Sequence, residues 1–447
     1  MEENANLRTA DVFVPGMDPK YTYNPREDVG LEDALKEKVD DGGAIVVLTG
    51  PTKSGKTVLA RRCFEDPIWI DGVQIDGIEK LWLRLAVATG VRVVDEVEKS
   101  RQVTNEVKGS LNAAIAAGEG GRSEGSVQSF HESLPISLEN EVTNRIKENR
   151  FTLVIDDFHF VSKELQEQVV QALKPLVYLG LRVVVIAITH RWNDVSEAVD
   201  DMGARIEHVI IPRWTQGELE QIASAGCSIL NVTMPTDIRQ KLAAESFGSP
   251  HIMQKACRTL VRNVNKVEKT SPLEEELKAP SDWDEFFKSQ VSMDAGKWVK
   301  RLLDGPKTKG TPRKLRMLNN GETTDTYGLV LAGIACSLPK LDLSMNELRN
   351  NIASITADGI PRADDISRVA GFINAIASTR IGEEQEVEFD EQSDEFLLSS
   401  SEPVVEVVGR DTPQAHIYVA DPFFAYFLRW GDNVWNNGVR SETAELE

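Results

Sequence analysis

Short β-branched runs alternate with helical stretches along the first half of the chain. "AIVVLTG" (44–50), "FTLVIDDF" (151–158), "RVVVIAIT" (182–189) and "HVIIP" (208–212) are apolar runs closed by polar or turn residues. Runs of that length and composition read as strands buried on both faces. "TVLARRCFE" follows the first as a helix, and "PIWIDGVQIDGIEKLWLRLAVATG" reads as strand, turn and helix with Leu81 and Leu85 inward. Alternation of this kind predicts an open, doubly wound parallel sheet, an α/β core over residues 31–212.

Beyond residue 212 the segments read mainly as helices, with a connector over 266–325. The exception is "PVVEVVGRDTPQAHIYVADP", two strand-like runs around a turn, which reads as a hairpin. Three helical segments precede it: "TYGLVLAGIACSLP", "SMNELRNNIA" and "RADDISRVAGFINAIAST". Ser344 with Glu347 three residues later is a capping-box signature. "DPFFAYFLRW" closes the unit as a helix. Three helices and a hairpin predict a winged-helix module over 326–432.

The candidate chemistry sits at the strand ends. Gly50, Gly55, Lys56 and Thr57 fit G-x-x-x-x-G-K-[ST] between a strand and a helix. Glycines let the backbone curl so that successive N–H groups face phosphate oxygens. The expected nucleotide contacts are Gly50, Pro51, Thr52, Lys53, Ser54, Gly55, Lys56, Thr57 and Val58. Lys56 supplies charge for the β- and γ-phosphates and Thr57 offers a hydroxyl to Mg²⁺. The following helix turns its positive end to the same place. Asp156 and Asp157 end the second apolar run, where a carboxylate can hold Mg²⁺ and its neighbour can orient water. Thr189, His190 and Arg191 end the third, placed to sense a γ-phosphate. The expected ligands are ATP and Mg²⁺, the metal on Thr57 and Asp156.

Charge changes what the rest can be. The chain carries a net charge of −21, which opposes coating nucleic acid with its whole surface. Eight Lys and Arg between Lys297 and Arg316 form a local exception. A nucleic-acid contact there is the less favoured alternative to a solvated linker. The third helix of the C-terminal module balances its arginines with Asp364 and Asp365, and residues 381–409 hold ten acids and no base. A duplex-reading helix and wing would be basic, so docking is favoured for this module. The four cysteines lie far apart with no CxxC pair, which suits reduced thiols in the cytoplasm. No apolar run reaches membrane length, and the acidic start is not a secretory signal.

Taken together, these motifs resemble AAA+-related or STAND-type P-loop ATPases, the group of NB-ARC switches and archaeal origin-recognition initiators. "YNPREDVGLEDALKEKV" resembles the Arg-Glu element that opens such modules. "LVIDDF" resembles their Walker B strand. "AITHR" is similar to the sensor strand whose arginine, Arg191 here, reads the γ-phosphate. "IPRWTQGELEQI" and "AAESFGSPHIMQKACRTL" resemble the junction to a helical lid and the lid's Gly-x-Pro turn, which would bring Pro250 to the base. Pro250 and His251 stand where many such machines carry a sensor arginine. The resemblance puts Arg205 in the place of an arginine finger acting on the next subunit. It implies a leader (1–30), a nucleotide domain (31–212), a lid (213–265), a connector with a basic loop (266–325), the winged helix with its acidic insertion (326–432) and a tail (433–447).

A slow ATP-driven switch follows as the leading expectation. It would control a separate effector protein, a homo-oligomer or both, and by resemblance belongs to prokaryotic signalling or antiviral defence. The alternatives are an origin-recognition-like DNA-binding ATPase or loader, and a nucleotide-holding scaffold without turnover.

Overall fold

The computed structural model describes residues 6–91, 136–187, 206–306, 312–377, 403–409 and 415–436. Helices α1 (Thr9–Val12) and α2 (Leu31–Asp41) precede strand β1 (Ile45–Thr49) and helix α3 (Lys56–Cys63). Strand β2 (Ile68–Asp71), helices α4 (Ile78–Ala88) and α5 (Ile136–Glu148), strand β3 (Thr152–Asp156), helix α6 (Lys163–Tyr178) and strands β4 (Arg182–Ala187) and β5 (Ile206–Ile210) follow. The five strands pair in parallel in the order β2-β3-β4-β1-β5. This is the α/β P-loop core expected from the sequence, with β5 starting two residues early.

Successive strand residues feed opposite layers. Ile45, Val47, Leu153, Ile155, Val183 and Val185 enter one apolar layer under α4, α5 and α6. Val46, Leu48, Val154, Val184 and Ile186 enter the other, under α2 and α3. Burial on both faces is why these strands read as continuous apolar runs. The parallel pairing brings the C-terminal end of every strand to one edge.

A second body is built differently. Helices α7 (Gln216–Leu230), α8 (Thr236–Ala244) and α9 (Pro250–Thr259) leave the sheet, with strands β6 (Val232–Thr233) and β7 (Glu275–Glu276) beside them. Residues 266–325, a connector by composition, contain helices α10 (Trp283–Lys288) and α11 (Met293–Asp304) and the small strands β8 (Arg316–Met317) and β9 (Thr323–Thr324). Phe286, Phe287, Val299 and Leu302 bury these helices in the core. The C-terminal unit comprises α12 (Thr326–Ser337), β10 (Asp342–Ser344), α13 (Met345–Ile355), α14 (Ala363–Ala377), β11 (Val405–Val408), β12 (His416–Val419) and α15 (Pro422–Trp430). Its antiparallel sheet runs β10-β12-β11, and the Ser344–Glu347 capping box is formed.

One continuous hydrophobic core runs from Val12 and Phe13 through α7, α9, α10 and α12 to Trp435. Phe13 lies so close to α7 that a Cβ at Gly226 would sit 2.2 Å from its ring. Glu245, 7% exposed, accepts hydrogen bonds from Arg429 Nε (2.8 Å), Arg429 Nη2 (2.9 Å) and Trp430 Nε1 (2.9 Å). Tyr426 donates to the Phe287 carbonyl at 2.9 Å. The leader, the three helices after the sheet and the C-terminal unit therefore share one core, and Glu245 locks two of them together.

Candidate nucleotide site

The phosphate loop joins β1 to α3. Gly55, at φ +96°, lets the chain turn into the helix, and Lys53 also takes a left-handed conformation. A Cβ at Gly50 would lie 2.9 Å from Ile211, so only glycine lets the loop pass under β5. Lys56 folds back, and its Nζ donates to the carbonyls of Gly50 (3.0 Å) and Pro51 (2.9 Å). The Ser54 hydroxyl is buried without a hydrogen-bond partner among the described residues. A buried hydroxyl without a partner in a phosphate-binding loop suits an oxygen-rich anion.

Neighbouring strands lie about 5 Å apart, so β1 and β3, separated by β4, stand about 10 Å apart. Helix α3 spans that gap. Thr57 Oγ1 donates to Asp156 Oδ1 at 3.3 Å. The Asp157 amide donates to the same oxygen at 3.0 Å, and Asp157 itself is left-handed (φ +52°) at the head of a short turn. Burial, then the Asp157 charge, pushes the Asp156 carboxyl above its ordinary range. A buried carboxylate held above its usual pKa gains from a cation. The hydroxyl and carboxylate expected for Mg²⁺ are thus together, and they fit a metal whose other positions are filled by phosphate oxygens and water.

Sequence reasoning missed Asp71. It pairs with Asp156 across β2 and β3 and adds to the field that raises the Asp156 carboxyl. A Cβ on the next residue, Gly72, would lie 2.4 Å from the Asp157 carbonyl, so the two strand ends are packed backbone to backbone. "PIWID" carries the same signal as "LVID", an apolar run ending in Asp.

An apolar cavity opens beside the loop. Ser54, Gly55, Val58 and Leu59 form one wall; Tyr23, Pro25 and Arg26 of the leader form another; Trp214, Ile222, Pro250 and Gln254 close it. Pro250 is the first residue of α9, capped by the Ser249 side chain. His251 is pushed down to about 4 by burial and then by Lys53 and Lys255, so it adds no charge there at neutral pH. Arg26, the arginine of the Arg-Glu element, is 5% exposed. It donates to Glu218 (2.6 Å) and to the carbonyls of Pro212 (2.9 Å) and Arg213 (3.1 Å). Burial pushes the Glu218 carboxyl up, but Arg26 and the Thr215 amide and hydroxyl outweigh it and hold it below its usual range. Thr215 and Glu218 form a second capping box, legible as Thr-x-x-Glu in "TQGE".

Thr189, His190, Arg191 and Arg205 lie outside the described residues, as does most of the acidic run 381–409. Among the described residues of the basic segment, Lys297, Arg313 and Arg316 have internal partners. Arg313 pairs with Asp325 at 3.0 Å and donates to the carbonyls of Leu303, Asp304 and Pro306. Arg316 donates to the Gly359 carbonyl and Lys297 pairs with Asp294. Among the described residues no helix is long and apolar enough to cross a membrane.

No protein-family model and no curated protein matches the chain. Among solved structures it is similar to a Walker-type ATPase of Pyrococcus abyssi, at 12% identity over 93% of this chain and 99% of that one, TM-score 0.49. It is also similar to the ORC2 protein of Aeropyrum pernix, at 10% identity over 95% and 97%, TM-score 0.48. It is similar, too, to Cdc6p from Pyrobaculum aerophilum, at 12% identity over 94% and 97%, TM-score 0.42.

Proposed function

We propose that the chain is an ATPase switch that binds ATP with Mg²⁺ between its two bodies, hydrolyses it slowly and is read by a separate effector protein or by further copies of itself. The observation that carries this reading is the cavity beside the phosphate loop, whose walls come from both bodies. A ligand that touches both can bias how they sit together. Bound ATP with Mg²⁺ supplies the anhydride bond to be cleaved and the charge that stabilises the leaving phosphate. Lys56 neutralises phosphate charge, Thr57 and Asp156 hold the metal, and Asp157 orients the attacking water. Thr189 and Arg191 sense the γ-phosphate and Arg205 acts on a neighbouring copy. The sequence resemblance to STAND systems supports a role in prokaryotic signalling or antiviral defence.

Turnover of labelled ATP by the wild type, Lys56→Ala and Asp157→Ala tests this directly. The wild type should exceed both variants. A wild type that binds ATP but turns it over no faster than Lys56→Ala would leave only a nucleotide-holding scaffold.

The helix–strand–helix–helix–hairpin order of the C-terminal unit favours a second reading, a DNA-binding ATPase or loader. The internal engagement of Arg313 and Arg316, and the pairing of Arg368 with Asp365, oppose it. Salt-dependent duplex binding that is lost when Lys300 and Lys314 are neutralised would reverse the preference.

A further inference from the structure

We propose that Trp214 is a positioning residue of the phosphate loop and that, with Arg213, it relays the state of that loop to the C-terminal sheet. The proposal rests on the nucleotide reading above and names how that site is regulated. Its basis is a single dipeptide where the chain leaves β5. Trp214 Nε1 donates to the Ser54 carbonyl at 2.8 Å. An indole N–H can only donate, so this bond fixes the direction of that carbonyl. The Ser54–Gly55 peptide is planar and trans, so the Gly55 N–H points the opposite way. That amide is one of the loop groups a phosphate would meet.

The indole is itself held in place. The Arg26 guanidinium lies over its ring, 4.9 Å from the centroid, and Arg26 is in turn fixed by Glu218 and by the Pro212 and Arg213 carbonyls. The neighbouring side chain reaches the other way. Arg213 Nη2 donates to the Val419 carbonyl on β12 at 3.3 Å, within the field of Asp342 and Glu406. Two adjacent residues thus tie a loop carbonyl in one body to a strand carbonyl in the other. A rotation of the Ser54–Gly55 plane breaks or strains the Trp214 bond and shifts the backbone that carries Arg213.

The test uses the full chain labelled with 5-fluorotryptophan, with the Trp214 resonance identified by its loss in Trp214→Phe. ATP with Mg²⁺ should shift that resonance in the wild type. Trp214→Phe keeps a ring for Arg26 but removes the donor. It should weaken a fluorescent ATP analogue by about three- to tenfold with its melting temperature preserved. Arg213→Ala should bind the analogue as the wild type does, yet lose the ATP-dependent change in amide exchange at residues 416–419. A wild-type resonance that ATP leaves unmoved, Trp214→Phe binding at wild-type strength, or Arg213→Ala retaining the exchange response overturns the relay while leaving the nucleotide reading intact. A wild type that binds no analogue overturns the nucleotide reading itself.

Discussion

The two bodies that meet at the cavity are built on opposite plans. In the sheet, each short strand is a local run of sequence, its side chains divide between two layers, and its last residue reaches the common edge. In the other body, one core gathers residues from 12 to 435, and the buried Glu245 joins segments far apart in the chain through Trp430 and the half-buried Arg429. The sheet spends its polar residues on a site; the other body spends them on docking. Substitutions at strand ends should therefore change chemistry and spare the fold, whereas substitutions at docking residues should do the reverse.

The sharpest break of that contrast comes from Lys56→Ala. Its described partners are loop carbonyls, so ATP turnover should fall by about 10²-fold or more with urea unfolding nearly unchanged. A comparable loss of stability would erase the distinction. Glu245→Ala is the mirror case. It leaves the Arg429 and Trp430 donors without their carboxylate, and Arg429 keeps some solvent. A loss of about 2–3 kcal/mol is expected, below the range for a fully buried pair, with affinity for ATP retained. Gly226→Ala forces a methyl against the Phe13 ring and should cost about 1–3 kcal/mol. Faster amide exchange over residues 7–22 would show the leader loosening first.

The smallest effect has the opposite sign. Burial and Asp157 raise the Asp156 carboxyl, so its charge costs folding free energy at neutral pH, and that cost fades as pH falls through the raised value. Asp156→Asn should raise the urea midpoint slightly at pH 7, show less gain near pH 4, and lose Mg²⁺-dependent turnover. A midpoint that falls at pH 7 would show the carboxylate to be a structural group.

Legibility in the sequence follows the same division. "LTGPTKSGKT", "LVIDDF" and the Ser344–Glu347 box are local patterns, and each forms the local structure its residues dictate. Asp71 carried the same strand-end signal as Asp156 but lacked a second acid to draw notice. Trp214 and Glu245 gave no usable pattern, because their partners lie 160 and 185 residues away; the Arg-Glu element contains Arg26 but not its partner Glu218, 192 residues on. Residues 266–325 read as a connector because Pro, Gly and charge mask two short helices whose burial depends on aromatic contacts with α15, such as Phe287 with Trp430.

The central claim is that ATP is gripped by both bodies at once. Amide hydrogen exchange of the full chain with ATP and Mg²⁺, compared with ADP, tests it most directly. The account predicts added protection at residues 50–58 together with leader residues 22–26 and the start of α9 at 250–254. Protection confined to 50–58 would contradict it.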